Sequence, residues 1–178
     1  MALFLLFRIG PDYYAIDSGE VAEVLPLTAT KQIPGAPAWV CGLMVRAGQP
    51  VPVIDVTALA TGTPAGARTS TRTVLVNYRR PAPMSRTAET ADFIDQADPA
   101  TAAETAPAAR LLGLRLEYAT DTLRCDPASF VDSGIDPGQA RYLGPVRHDA
   151  RGLVQWVRVA DLLPEAVHTM LFPDALPA

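Results

Sequence analysis

Gly42-Leu-Met-Val-Arg-Ala-Gly-Gln-Pro-Val-Pro-Val-Ile-Asp55 reads as a hairpin. Two short apolar runs, Gly42–Val45 and Val51–Val56, flank a turn that carries Gly48 and Pro50. The same punctuation recurs outward from this stretch. Before it, candidate strands are Leu3–Ile9, Tyr13–Ile16 and Ala22–Pro26. After it come Thr73–Asn77, Leu111–Leu116, Thr122–Cys125, Arg141–Pro145 and Leu153–Val159. Seventeen prolines spread through 178 residues count against long helices. Three short helical pieces are expected, at Ser18–Glu23, Thr57–Ala60 and Asp161–Leu171. Short strands at this spacing predict an all-β chain of small barrels, not a parallel sheet with crossover helices.

A weak internal repeat supports two such barrels. Tyr14-Ala-Ile-Asp17 and Val21-Ala-Glu-Val-Leu25 lead to Gly42, a turn and Asp55. Gly113-Leu-Arg-Leu-Glu117 and Ala119-Thr-Asp-Thr-Leu123 lead to Gly144, a turn and Asp161. The repeat divides a single domain into one lobe over about 13–71 and a second over about 72–160. The second lobe takes in the N-terminal strand, and a C-terminal helix follows at about 161–171.

Residues 81–110 differ in kind. Ten of these thirty residues are Ala, four Pro, four Thr and five acidic, and only Met84, Phe93 and Ile94 could anchor them. Ordering such a stretch costs roughly 1–2 kcal/mol per residue, more than its burial returns. It is expected to be a mobile loop with a helical turn at most around Asp92–Gln96.

Composition removes several functional classes. A net charge of −4 argues against nucleic-acid binding. Two cysteines, Cys41 and Cys125, cannot make a four-cysteine zinc site or a disulfide framework, so a reducing compartment is expected. The opening Met-Ala-Leu-Phe-Leu-Leu-Phe-Arg lacks a basic start and a cleavage site, and no stretch has the ~18 apolar residues of a membrane span. A cytoplasmic protein without direct membrane insertion is expected.

Candidate catalytic groups are few. Ile16-Asp17-Ser18-Gly19 matches the active-site string of aspartic proteases, and Asp132-Ser133-Gly134 is a second copy. Two carboxylates sharing a proton could activate water. The second copy lies in a polar run, and Asp17 or Ser18 reads as an N-cap. Asp55 and Asp161 read as caps or turn residues, Glu23 as a solvated acid, and Cys41 as a buried small side chain. His148 and His168 read as surface residues. No phosphate loop, GxGxxG or HExxH occurs. No enzyme and no cofactor are expected, and a small aspartic-type hydrolase using Asp17 and Asp132 is the alternative.

The order of motifs resembles the CheW-type coupling proteins of bacterial chemosensory arrays. Phe4-Leu-Leu-Phe-Arg-Ile-Gly10 and Val21-Ala-Glu-Val-Leu25 are similar to that family's first strands and its V-x-E-V segment. Ile33-Pro-Gly-Ala-Pro-Ala-Trp-Val-Cys-Gly42, Val51-Pro-Val-Ile-Asp55, Arg110-Leu-Leu-Gly-Leu114, Tyr142-Leu-Gly144 and Asp161-Leu-Leu163 continue the match. It spans about residues 3–164 apart from 81–110.

The resemblance implies two interlocked five-stranded SH3-like barrels and a non-catalytic scaffold. It implies two partners, the regulatory domain of a CheA-type histidine kinase and the cytoplasmic tip of a chemoreceptor, met at membrane-associated receptor arrays. Kinase contact is expected around Glu23, Val24, Met44 and Val53. The receptor groove is expected between the two lobes, around Val21, Ala47, Val74 and Gly113. Two departures stand out. The family's Arg before the Pro-Val-Ile-Asp strand is Ala47 here, and Arg46 lies one residue early, on the opposite strand face unless the hairpin is bulged. The family also joins its strands tightly where this chain inserts about thirty residues. Together they imply a specialised member, as in surface-sensing systems of the Wsp type.

Overall fold

A computed structural model describes residues 1–80 and 109–173. Nine strands and two short helices fill these residues: β1 (Ala2–Ile9), β2 (Asp12–Asp17), β3 (Val21–Pro26), β4 (Val40–Arg46), β5 (Gln49–Asp55), α1 (Val56–Thr61), β6 (Arg72–Tyr78), β7 (Arg110–Cys125), β8 (Leu143–Asp149), β9 (Gly152–Val157) and α2 (Glu165–Leu171). The loop expected over 81–110, with its turn at Asp92–Gln96, lies outside the described residues except Ala109 and Arg110. Arg110 already belongs to β7.

Pairing sorts the strands into two groups of five. The first runs β3-β6-β7-β5-β4, and the second β7-β1-β2-β9-β8. The shared strand is β7. Its first half, Arg110–Leu116, pairs with β6, and its second half, Glu117–Cys125, pairs with β1. Two strands, Leu111–Leu116 and Thr122–Cys125, are expected from the sequence; the chain forms one of 16 residues. It changes sheets at Tyr118, whose φ of 53° lies in the left-handed region, where the register against β1 shifts between Leu6 and Arg8. An aromatic residue held there costs about 1–3 kcal/mol. The lobes accordingly divide elsewhere than at residue 72. β6 joins the first group through β3, and β2 joins the second through β1 and β9.

Two of the helix expectations differ from the structure. Ser18–Glu23 is a turn followed by β3: Asp17 accepts from the Gly19 N–H at 2.8 Å, and Asn77 N–H binds the Glu20 carbonyl at 2.8 Å. The C-terminal helix starts at Glu165 after a 3₁₀ turn at Val159–Asp161, because Pro164 disfavours helix at the residue before it. α1 follows expectation, capped by Asp55, whose two carboxylate oxygens accept from Ala58 N–H at 2.9 Å and Ala65 N–H at 2.8 Å.

Alternation along each strand sends side chains to three apolar clusters. The largest lies between the sheets and takes Leu5, Phe7 and Ile9 of β1, Val74 and Val76 of β6, and Leu112, Leu114 and Leu116 of β7. The second barrel encloses Phe4, Leu6, Leu123, Phe130 and Val154, with Trp156 edge-on to Phe4 at 4.9 Å. The first barrel has a smaller interior of Met44, Val51, Val53 and Leu75.

Ion pairs span the open side of each strand group. Glu23 of β3 meets Arg46 of β4, and Asp121 of β7 meets Arg151 of the β8–β9 turn at 3.8 Å. Both acids occupy the same place in the internal repeat, third in Val21-Ala-Glu and in Ala119-Thr-Asp.

Candidate functional site

The mouth of the first barrel brings together the most exposed of the residues expected to bind partners. Glu23 pairs across the strands with Leu75, so its carboxylate stands over the barrel interior. Arg46 ends β4 opposite Gln49, and the two-residue turn between them is Ala47-Gly48. Both turn residues have positive φ, 48° and 77°, as a tight hairpin that follows the sheet twist requires. This turn leaves Arg46 as the last strand residue. Its guanidinium takes Glu23 in a bidentate grip, Nε donating to Oε2 at 2.8 Å and NH2 to Oε1. Glu23 is therefore a paired acid, not a merely solvated one. Arg46 escaped sequence reasoning as its partner, because alternation along one strand says nothing of contacts between the two ends of a barrel.

The other expected kinase residues divide by burial. Val24 is 45% exposed, and Val45 beside the turn is 73% exposed. Met44 and Val53 are 5% and 0% exposed and point into the first barrel. They can support a contact surface but cannot touch a partner without opening the barrel.

The expected receptor residues are spread through the same lobe. Val21 is half-buried against the central core, and Val74 is fully buried in it. Ala47 is exposed at the hairpin tip. Gly113 lies between Val53 of β5 and Leu75 of β6. A Cβ there would stand 2.8 Å from Val53 Cγ2, so Gly113 permits strand packing and does not line a groove. A cavity of about 700 Å³ does open elsewhere, between α1, the end of β6 and α2, walled by Leu59, Tyr78, Tyr142, Leu163 and His168. It contains none of the eight expected residues.

The alternative hydrolase finds no support. Asp17 and Asp132 each hold the backbone N–H two residues on, Gly19 and Gly134, at 2.8 Å. Both strings are local turns. Among the described residues no three His, Cys, Asp or Glu side chains gather to hold a metal ion. His168 is half-buried: its ring packs 5.7 Å from those of Tyr78 and Phe172. His148 is exposed on β8, and burial pushes the Cys41 thiol up to about 11.

Glu20, beside Val21, carries an unusual proton affinity. Burial first, and the neighbouring Asp17 second, raise its carboxyl from 4.5 to about 7. A raised folded-state value means that the fold keeps a proton the unfolded chain releases as pH passes 4.5. The resulting loss of stability is absent below that value and grows as pH rises to about 7. Glu20→Gln is expected to gain about 1 kcal/mol over the parent near pH 8, the full shift being reduced by solvent screening, and nothing near pH 4. Urea midpoints at the two pH values check this; an equal effect at both would show that the carboxyl is not the cause.

Comparison with known proteins now bears on this geometry. A family model described as the CheW-like domain matches residues 3–167. No curated protein matches the chain by sequence. Among solved structures, the scaffolding protein TtCheW from Thermoanaerobacter tengcongensis superposes with a TM-score of 0.68 at 14% identity, covering 92% of this chain and 88% of that one. At that identity the likeness speaks for the fold, and it agrees with the paired five-stranded groups. No helix among the described residues is long and apolar enough to cross a membrane. With the family model matching nearly its whole length, the chain belongs to the CheW-like domain family.

Proposed function

We propose that this protein is a non-catalytic scaffold that couples a chemoreceptor to a CheA-type histidine kinase at a receptor array on the cytoplasmic side of the membrane. The CheW-like match over residues 3–167 carries this reading. The kinase regulatory domain would meet the first barrel at Val24, Glu23 and the Arg46 hairpin, with Met44 and Val53 supporting that surface from below. The receptor tip would meet the same lobe near Val21 and Ala47, over a wall that Val74 and Gly113 pack. A pathway of the Wsp type rests on Ala47 and on the inserted segment.

Arg46, the residue before Ala47 of the turn, supplies the guanidinium that holds Glu23 in this chain. The pair is half-exposed, so it adds only about 0–1 kcal/mol to stability. Its expected use is to hold two charged groups in a fixed geometry for a partner. Arg46→Ala should leave the urea midpoint nearly unchanged and weaken binding to the cognate kinase regulatory domain by at least tenfold in calorimetry. Co-sedimentation with receptor-containing vesicles, with and without that kinase domain, tests the coupling itself. Failure of the unmodified protein to bind either partner would reject the scaffold reading.

A further inference from the structure

A stack of alternating arginines and tyrosines runs from β1 and β2 of the second group to the α1–β6 connection of the first. Arg8 of β1 faces Tyr13 of β2 and Glu117 of β7 in the strand register. Its guanidinium lies over the Tyr13 ring at 5.3 Å and over the Tyr118 ring at 5.1 Å. Arg68 continues the stack, 5.6 Å from the Tyr118 ring, and donates from NH1 to the Tyr118 hydroxyl at 2.7 Å. Aromatic rings on both sides attract the cation of Arg8 but accept none of its in-plane hydrogen bonds.

The nearby acids bond to other groups, Glu117 to neutral donors that leave its charge in place. Glu117 accepts from Gly66 N–H at 3.0 Å and from the Thr57 hydroxyl at 3.3 Å. Asp121 faces Arg151 at 3.8 Å. Among the described residues neither Arg8 nor Arg68 has a carboxylate within ion-pair distance. The Nε of Arg8 is buried and, among the described residues, has no hydrogen-bond partner, so ring faces hold that side of the guanidinium. Tyr118 takes its place between the two cations only through the left-handed backbone at the sheet crossing, a conformation seldom kept without a use.

We propose that the Arg8–Tyr118–Arg68 stack is a docking surface for a carboxylate-rich segment of a protein partner. The exposed Arg68 guanidinium offers a planar donor edge to a carboxylate, and Arg8, with its Nε buried, adds its terminal nitrogens. The chain as a whole carries −4, which disfavours a long polyanion such as nucleic acid while leaving this local pair of cations open to a short acidic peptide. The surface lies where the two strand groups meet, apart from the Glu23–Arg46 pair, and does not depend on the function proposed above.

Fluorescence anisotropy with labelled hexaglutamate on the full chain at low salt tests the proposal. Hexaglutamate should bind, hexaglutamine should not, and a six-residue thymidine oligonucleotide should bind at least tenfold more weakly. Arg68 is exposed, so Arg68→Gln should keep the parent's melting temperature while weakening hexaglutamate at least fivefold. Arg8→Gln with Arg68→Gln should abolish binding; if that double variant fails to fold, Arg68→Gln and its partial rescue by Arg68→Lys carry the test. No binding of hexaglutamate, or equal binding by Arg68→Gln, overturns the proposal. So does equal binding of the oligonucleotide, which would mark a general polyanion surface. A lower melting temperature in Arg68→Gln with unchanged binding would mark the stack as a structural brace and also overturn it.

Discussion

Gly42→Ala should leave little folded protein. Gly42 sits in β4 at a bulge, where the register against β5 shifts between Val40 and Gly42. Its φ of 125° belongs to glycine, and a Cβ would overlap the Lys31 carbonyl oxygen while standing 2.6 Å from its carbon. That carbonyl cannot retreat cheaply. It accepts from Leu43 N–H at 2.8 Å, and Lys31 N–H returns the bond to the Leu43 carbonyl at 2.8 Å. The substitution therefore adds backbone strain and opens two backbone hydrogen bonds along the outer edge of β4. An expected loss above about 4 kcal/mol is a large share of the roughly 5–15 kcal/mol that holds a domain together. Urea unfolding followed by tryptophan fluorescence reads the loss, because Trp39 packs against the central cluster and Trp156 against that of the second barrel. A variant within about 1 kcal/mol of the parent would show that the segment around Lys31 yields.

The same glycine opens the stretch from which the barrel is legible. Gly42–Asp55 reads as a hairpin because its two apolar runs are short and its turn is polar, and β4 and β5 form there. β7 is the opposite case. Glu117-Tyr118-Ala119-Thr120-Asp121 looks like a connection, since its polar residues break the apolar run. In the fold those residues lie where one strand leaves the first sheet and enters the second, so their outward side chains meet solvent or the barrel rim. A strand pattern read from a single face cannot describe a strand that changes neighbours midway.

The turn after Asp17 misleads for a chemical reason. A carboxylate binding the N–H two residues on begins a helix or closes an Asx turn equally well. What decides is remote: Asn77 takes the Glu20 carbonyl, and β6 offers Glu23 and Val24 a ladder. The candidate site was legible to a similar depth. Glu23 and Val24 lie on β3 and are not sealed in a core, and Asp55 is a cap as its position before an apolar helical turn implies. The pairing of Glu23 with Arg46 was hidden, since it joins the first and last strands of an open group, separated by 23 residues in sequence.

Burial of Met44 sets the most informative pair of substitutions for the proposed kinase surface. Met44→Asp is expected to destabilise the protein by about 3 kcal/mol or more, removing a packed side chain and placing a carboxylate among Val51, Val53 and Leu75. That interior is small, four buried residues edged by Leu25, Cys41 and Leu111, so little remains to absorb the loss. Kinase binding would then fail because the first barrel has opened, whatever surface the kinase uses. Val24→Asp separates the two causes. Val24 is 45% exposed on β3, one residue from the Glu23–Arg46 pair, so a charge there should cost at most about 0.5 kcal/mol of stability. If the kinase regulatory domain covers Val24, the new carboxylate is desolvated in the complex, and affinity should fall by tenfold or more. Calorimetric titration of the two variants, each after a measured urea midpoint, gives the answer. Retained affinity in a fully folded Val24→Asp protein would move the kinase off the first barrel, and a Met44→Asp protein as stable as its parent would refute the packing assigned to that barrel's interior.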